Sequence, residues 1–312
     1  MRRTAATVAL LALVSGTSAA IIRRDTASKS ALLLADNSGE AKVPWWQQRM
    51  EEMKAKAASA TGGGEALDPD RVKARALMKK RSLRDCEQAV ELLEKSIAKA
   101  EGSNEEVDPR LCLEAAQARN AVMRIKTHSN TLHITRMLDT PENKKVWRKH
   151  GPRAVELASK AKAALEPDPE ALVCYADAYF FANSVKGVLA AATTGSGLKF
   201  KGNSKELIKK CERAEGGIGH AYLGAFFLMA PWPLSNAKAS EQHLTAAYKI
   251  APCRRNAYYL GVMHYRLGRK DQAAGFFREA ITAKPLTPSE GDFTEWVKHE
   301  ATLALAVCEQ QQ

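Results

Sequence analysis

An internal repeat constrains the fold of this chain more than any other feature of its sequence. A Leu-Gly pair at Leu223 and Gly224 recurs 37 positions later at Leu260 and Gly261. Around each pair, apolar residues return every three or four positions, which is the spacing of an amphipathic helix. Self-similarity at a period of roughly 20 to 50 residues is typical of solenoids, whose units bury their apolar faces against one another. The repeat therefore predicts a body built from stacked helical units.

The last copy, residues 256–285, resembles the tetratricopeptide repeat, a helix–turn–helix unit of about 34 residues. The matching positions are Leu260 and Gly261 in the first helix, Gly268 in the turn, Ala273, Phe277 and Ala280 in the second helix, and Pro285 at the end. Two positions depart from the pattern, because Ala257 stands where Trp is usual and His264 where Tyr is usual. In such a unit the small residues let two helices approach closely, and the bulky residues fill the gap to the next unit.

Further copies precede this one. The preceding unit contains Leu223, Gly224 and Phe227 in its first helix and Ser240, Leu244 and Ala247 in its second, with an insertion at residues 230–234. A weaker copy covers residues 164–179, and residues 293–307 form one more amphipathic pattern. Glycines and prolines such as Gly151 and Pro152 are interpreted as helix ends. We predict an all-α, tetratricopeptide-like α-solenoid of antiparallel helix hairpins with a C-terminal capping helix.

Composition sets broad limits on the function. The 312 residues are 45% hydrophobic and 26% charged, which is ordinary for a globular protein and excludes a disordered chain, a collagen-like fibre and a polytopic membrane protein. Lys and Arg number 47 against 35 Asp and Glu, and the net charge of +12 favours acidic partners. The nearest two of the six cysteines, Cys86 and Cys112, are 26 positions apart, so no CxxC motif exists. We expect most of the cysteines to be buried free thiols.

The N-terminus predicts targeting. Residues 1–20 place Arg2 and Arg3 before an apolar run and small residues, which is the layout of a secretory signal peptide. The uncharged stretch 5–22 also suits an uncleaved membrane anchor, and the lack of acids before Asp25 suits mitochondrial or plastid import. We expect a signal-bearing chain on the secretory route to an organelle or anchored in a membrane, with a mitochondrial or plastid location as the alternative.

These features divide the chain into three parts. Residues 1–20 are the signal peptide or anchor, 21–69 a flexible N-terminal arm, and 70–312 the helical domain. The arm contains a short helical segment that begins near Trp45 and Trp46 and precedes three consecutive glycines. Tryptophan is enriched at binding hot spots, so this pair is a candidate anchor for a partner. The alternative is that both tryptophans pack onto the body of the protein.

The sequence contains none of the familiar catalytic or nucleotide-binding motifs in complete form. Gly197, Gly202 and Ser204 have P-loop spacing, but Asn203 replaces the essential lysine and no strand precedes it, so we interpret the segment as an inter-helix loop. No HExxH motif occurs among the seven histidines, and no G-x-S-x-G motif occurs. We predict no enzymatic activity, no catalytic residue, no cofactor and no metal site.

Three features in the C-terminal half carry a closer resemblance. They are the glycine-and-lysine segment 197–203 leading into a helix at 206–214, the Met229-Ala230-Pro231-Trp232 insertion, and the last repeat with its following helix. In this order, over residues 146–307, they resemble the regulator-of-microtubule-dynamics family of divergent tetratricopeptide proteins. The resemblance implies a helical scaffold without catalysis and, for some members, association with microtubules or an organelle membrane.

Charge supplies the remaining candidate site. One basic cluster comprises Lys199, Lys201, Lys205, Lys209 and Lys210. If these lysines share one face of the solenoid, that face would suit an acidic protein, with tubulin as one example, or an anionic membrane. The alternative is that the lysines belong to ordinary solvated helix surface. Nucleic acid is disfavoured because no recognition motif accompanies the charge. We therefore predict a non-enzymatic scaffold for protein–protein interaction, with a structural or assembly subunit of a mitochondrial or plastid complex as the alternative function.

Overall fold

The computed structural model describes residues 68–128, 131–134, 139–187, 190–191 and 194–310. Within these residues the chain is helical and contains no strand. The helices are α1 (Pro69–Lys80), α2 (Leu83–Gly102), α3 (Pro109–Thr127), α4 (Pro141–Leu165), α5 (Pro169–Ser184), α6 (Ser196–Cys211), α7 (Ile218–Met229), α8 (Ala237–Ile250), α9 (Arg254–Arg266), α10 (Lys270–Thr282), α11 (Pro288–Gly291) and α12 (Thr294–Glu309), with a 3₁₀ turn at Ala214–Gly216. The predicted leader and nearly all of the predicted arm lie outside the described residues.

Consecutive helices pack against each other along the whole described chain. The hairpins are α1 with α2, α3 with α4, α5 with α6, α7 with α8, and α9 with α10, and α4 packs on α5 more extensively than α5 packs on α6. Each hairpin also packs on the next one, and α12 covers α10 and α9 at the C-terminal end. Because one unit buries its apolar face only against its neighbours, this succession forms a continuous core. The predicted all-α solenoid with a C-terminal capping helix is confirmed.

The last hairpin shows why the repeat residues recur. An ideal Cβ on Gly261 of α9 would lie 2.6 Å from a ring carbon of Phe277 on α10, so only glycine lets these helices approach this closely. Phe277 is fully buried at the contact. In the turn between the helices, Gly268 has a φ of +73°, a left-handed conformation that glycine adopts without steric strain.

The preceding hairpin repeats this packing. An ideal Cβ on Gly224 of α7 would lie 2.6 Å from Cγ of Leu244 on α8. The hydroxyl of Ser240 donates a hydrogen bond of 2.9 Å to the Gly224 carbonyl, which requires the same close approach. The inserted residues 230–234 fall between the end of α7 and the start of α8. They lengthen the turn without disturbing the helix contact.

Two sequence-based assignments are wrong. The segment 197–203 is not a loop but the start of α6, and that helix ends at Cys211 rather than continuing to residue 214. Ser204 and Leu207 are buried on one face of α6, and this burial offsets the helix cost of about 1 kcal/mol for each glycine. Gly151 and Pro152 lie inside α4 rather than at a helix end. An ideal Cβ on Gly151 would lie 2.8 Å from Cα of Ala182, so this glycine lets α4 touch α5.

The first helices of successive hairpins meet at a buried polar cluster. Arg124 of α3 donates to Asp177 of α5 at 2.5 Å, and the Tyr222 hydroxyl of α7 donates to the same carboxylate. We call the face shared by α3, α5, α7 and α9 the inner face. Arg124 also donates to Asp292, which follows α11, at 2.9 Å. The C-terminal segment therefore reaches the inner face.

The connection between α3 and α4 also contacts the inner face. The Thr131 backbone N–H donates to the Tyr259 hydroxyl of α9, and the Ile134 N–H donates to the Tyr258 hydroxyl, each at 3.2 Å. Helical-repeat proteins commonly bind partners on an extended concave surface. Here two segments of the chain itself already occupy part of the inner face, which leaves less of that face open to a partner.

Candidate docking surface

Two lysines of α6 rest on aromatic rings. Lys199 Nζ lies 5.1 Å from the centre of the Tyr179 ring on α5, and Lys201 Nζ lies 4.9 Å from the Phe227 ring on α7. A cation over a ring face is attracted by the ring quadrupole. A hydrogen bond to the Tyr175 hydroxyl raises the pKa of Lys199, so this side chain stays cationic. The rings orient both ammonium groups without neutralising their charge.

The five predicted lysines have different surroundings. Lys210 forms ion pairs with Glu206 and Glu166, and Lys162 of α4 also reaches Glu206, at 2.5 Å. This local network partly neutralises Lys210. Lys205 and Lys209 are exposed. The candidate cluster therefore reduces to Lys199 and Lys201, which contact different neighbouring helices, with two exposed lysines further along α6.

An apolar groove lies beside these lysines, between the end of α5, the start of α6 and the end of α7. Its cavity volume is about 130 Å³. The apolar side chains that line it include Phe180, Phe200, Ala225, Phe226, Met229, Pro231 and Leu234, and polar groups such as Asn183 and Ser196 complete the wall. We call this cavity the α6 groove. Sequence reasoning missed it, because its three phenylalanines come from three different helices.

The inserted turn after α7 forms one edge of the α6 groove. Pro231 and Leu234 line the cavity, and Trp232 between them is 87% exposed. Leu198 in the first turn of α6 is also exposed, at 52%. Large side chains that are exposed next to an apolar cavity are typical of interaction sites. The Met229-Ala230-Pro231-Trp232 insertion and the glycine-and-lysine segment 197–203 were the sequence signals at this place.

The other candidate residues lie elsewhere. Trp45 and Trp46 lie outside the described residues, so their role stays a prediction. The repeat residues Leu223, Gly224, Leu260, Gly261, Ala273, Phe277 and Ala280 lie at contacts between or within hairpins, and Pro285 is exposed after α10. These residues support the fold and do not line the groove.

Several strongly perturbed ionisable groups belong to the buried polar cluster. Burial raises the pKa of Glu215, with the Asp177 carboxylate adding to the shift, and the Ser289 hydroxyl donates to Glu215 at 2.5 Å. Burial likewise raises the pKa of Tyr222. The adjoining cavity has a volume of about 30 Å³, which suits water rather than an organic substrate. These groups therefore stabilise contacts between helices.

The described part of the chain lacks two other kinds of feature. There, no three His, Cys, Asp or Glu side chains are grouped so that they could hold a metal ion. Among the helices whose bounds are given above, none combines the length and apolar character required to cross a bilayer.

Comparison with known proteins supports the fold alone. No protein-family model matches the chain, and no curated protein matches it. Among solved structures, a thermophilic TPR protein of Thermus thermophilus is similar, with a TM-score of 0.52 and 14% sequence identity over 76% of this chain and 99% of that chain. This similarity supports a divergent tetratricopeptide-like protein. The resemblance to the regulator-of-microtubule-dynamics family is not supported by it.

Proposed function

We propose that this tetratricopeptide-like chain is a non-enzymatic scaffold that binds an acidic segment of another protein beside α6. The observation that carries the proposal is the pair Lys199 and Lys201, held on aromatic rings at the edge of an apolar groove. In the described part of the chain, neither ammonium group is neutralised by an ion pair. Oriented charge next to apolar surface is the combination that an acidic protein segment requires.

The charge of the whole molecule supports the same proposal. A net charge of +12 attracts an acidic partner over distances of about 10 Å at moderate ionic strength. Such attraction accelerates the encounter more than it strengthens the final complex. We therefore expect association with an acidic partner to slow markedly as salt is added.

The first test reverses the two lysines in the full chain. We expect Lys199→Glu with Lys201→Glu to weaken binding of a fluorescent glutamate-rich peptide about tenfold and to flatten its salt dependence. Stopped-flow association and equilibrium anisotropy measure both effects. Lys73→Glu with Lys79→Glu on α1 is the matched control, because it changes the net charge equally at exposed positions. Equal weakening by both double variants would show that only net charge matters and would contradict an α6 site.

Tubulin is the specific acidic partner that we propose. The support is the sequence resemblance to microtubule regulators together with the basic α6 surface. Co-sedimentation with polymerised tubulin tests this, with the same two double variants. Pelleting that is lost on reversal of Lys199 and Lys201 but kept in the α1 control supports a microtubule role. If the unmodified chain stays in the supernatant, tubulin is not the partner.

The alternative is an assembly role inside an organelle, and the layout of residues 1–20 favours it. We propose that these residues direct the chain to the secretory route, to a membrane or to an organelle. N-terminal sequencing of the mature chain and protease protection of intact organelles test this. A cleaved leader on a protected chain would contradict a tubulin partner, because tubulin is cytosolic.

A further inference from the structure

The α6 groove has an apolar lining that the lysine pair does not explain. Phe180 of α5, Phe200 of α6 and Phe226 of α7 all line it. Phe200 contacts Phe180 with a ring-centre separation of 5.8 Å, so two walls of the groove are in contact. Lys201 Nζ lies 5.5 Å from the centre of the Phe226 ring, which places a cation against the third aromatic wall.

The size of the groove limits what it holds. Its volume of about 130 Å³ is close to that of engineered apolar cavities of about 150 Å³ that bind benzene. The volume therefore matches a single aromatic side chain. Aromatic side chains also gain from edge or offset contacts with neighbouring rings.

We infer that the α6 groove receives one aromatic side chain, such as phenylalanine, from the acidic partner segment, while carboxylates on either side of it pair with Lys199 and Lys201. This inference rests on the proposed function and specifies its ligand. Buried aromatic anchors surrounded by a water-excluding rim carry most of the binding energy in protein interfaces.

Two glycines of α6 provide a matched pair of variants. An ideal Cβ on Gly197 would lie 3.6 Å from a ring carbon of Phe226 and 3.5 Å from the Ala191 carbonyl oxygen, which are ordinary contact distances. Gly197→Leu therefore places a branched side chain in the groove. An ideal Cβ on Gly202 meets nothing within 4 Å, so Gly202→Leu points into open space. Both changes replace a helical glycine with the same stronger helix former.

The experiment compares two glutamate-rich peptides that differ only in one central residue, phenylalanine or alanine. On the unmodified full chain we expect the phenylalanine peptide to bind about tenfold more tightly, measured by calorimetry or anisotropy. We expect Gly197→Leu to abolish this preference and Gly202→Leu to retain it. Thermal unfolding of each variant checks that it is folded, and the peptide comparison on the unmodified chain requires no variant at all.

The outcomes separate this inference from the proposed function. Equal binding of the two peptides, or a preference that persists in folded Gly197→Leu, overturns the aromatic anchor. If either result is found and the binding of both peptides still depends on Lys199 and Lys201, the acidic-segment proposal stands. If neither peptide binds the unmodified chain, the proposed function fails and the anchor fails with it.

Discussion

Glycines in this chain perform opposite tasks at different positions. Gly261 lies where two helices touch, and its absent side chain leaves room for the Phe277 ring. Gly275, near the middle of the opposite helix α10, is exposed, and an ideal Cβ there meets nothing within 4 Å. The same residue type thus permits close packing at one site and merely lowers helix propensity at the other.

This contrast gives a prediction for a single methyl group. We expect Gly261→Ala to destabilise the protein by about 1–3 kcal/mol, because a Cβ at 2.6 Å from the fully buried Phe277 ring forces helices apart. We expect Gly275→Ala to stabilise it by about 0.5–1 kcal/mol through helix propensity. Urea denaturation of both variants measures the difference. Equal effects of the two substitutions would contradict close packing at Gly261.

At the scale of elements, one carboxylate ties three helices together. Glu94 of α2 accepts hydrogen bonds from Arg119 of α3, the shortest at 2.7 Å, and from Arg153 of α4, at 3.2 Å. His150 of α4 is buried beside this group, with its Nδ1 3.4 Å from Arg119 Nη1. Burial first, and then the positive charges of Arg119 and Lys149, lower the pKa of His150 from 6.5 to about 4.

This histidine predicts a loss of stability in acid. The folded state keeps His150 neutral down to about pH 4, whereas the unfolded chain binds a proton at about pH 6.5. The contribution of His150 to stability is therefore fully present above its pKa in the unfolded chain. It decreases as the pH falls towards the pKa of His150 in the folded protein. Between about pH 7 and pH 5 we expect the free energy of unfolding of the unmodified chain to fall by about 2 kcal/mol more than that of the His150→Gln variant. Urea denaturation at both pH values measures this, and parallel losses in the two proteins would contradict it.

The success of sequence reasoning differed between elements for physical reasons. Helices α9 and α10 could be predicted closely from the sequence, because their small and bulky residues recur at regular spacing within one short segment. The start of α6 and the middle of α4 were misassigned, because Gly197 and Gly151 interrupt the local pattern while tertiary packing supports the helix. The lysines of the site were identifiable from charge alone. The groove was not, because its walls lie on helices far apart in sequence.

At the scale of the whole described domain, the two ends of the solenoid meet. Arg81, in the turn between α1 and α2, donates to Asp292 at 2.8 Å, although 211 positions separate the two residues. Arg124 of α3 donates to the same carboxylate, whose side chain is fully buried. One aspartate therefore joins the first hairpins to the segment that leads into α12. No sequence pattern indicated this contact, because ion pairs over such a separation depend on the superhelical path of the entire repeat array.

The ion pairs of Asp292 with Arg81 and Arg124 give a prediction with an internal control. We expect Asp292→Ala to destabilise the protein by about 3–5 kcal/mol, since it leaves Arg124 buried with less compensating charge. Glu309→Ala removes a comparable ion pair, with Arg278 at 2.7 Å, but both of those side chains are about half exposed. For that variant we expect less than about 1 kcal/mol, because water and salt screen an exposed pair.

Hydrogen exchange distinguishes local release of the C-terminal segment from a general loss of stability. If Asp292 fixes the C-terminal segment on the inner face, Asp292→Ala should accelerate amide exchange in α11 and α12 before it affects α5 and α6, because segments with fewer buried contacts open first. Glu309→Ala should leave both regions unchanged. Exchange that rises uniformly in all helices of Asp292→Ala would show that the aspartate contributes only to global stability. Unchanged exchange and an unchanged urea midpoint would show that Asp292 is not needed to hold the C-terminal segment, and that the packing of α12 against α9 and α10 is sufficient.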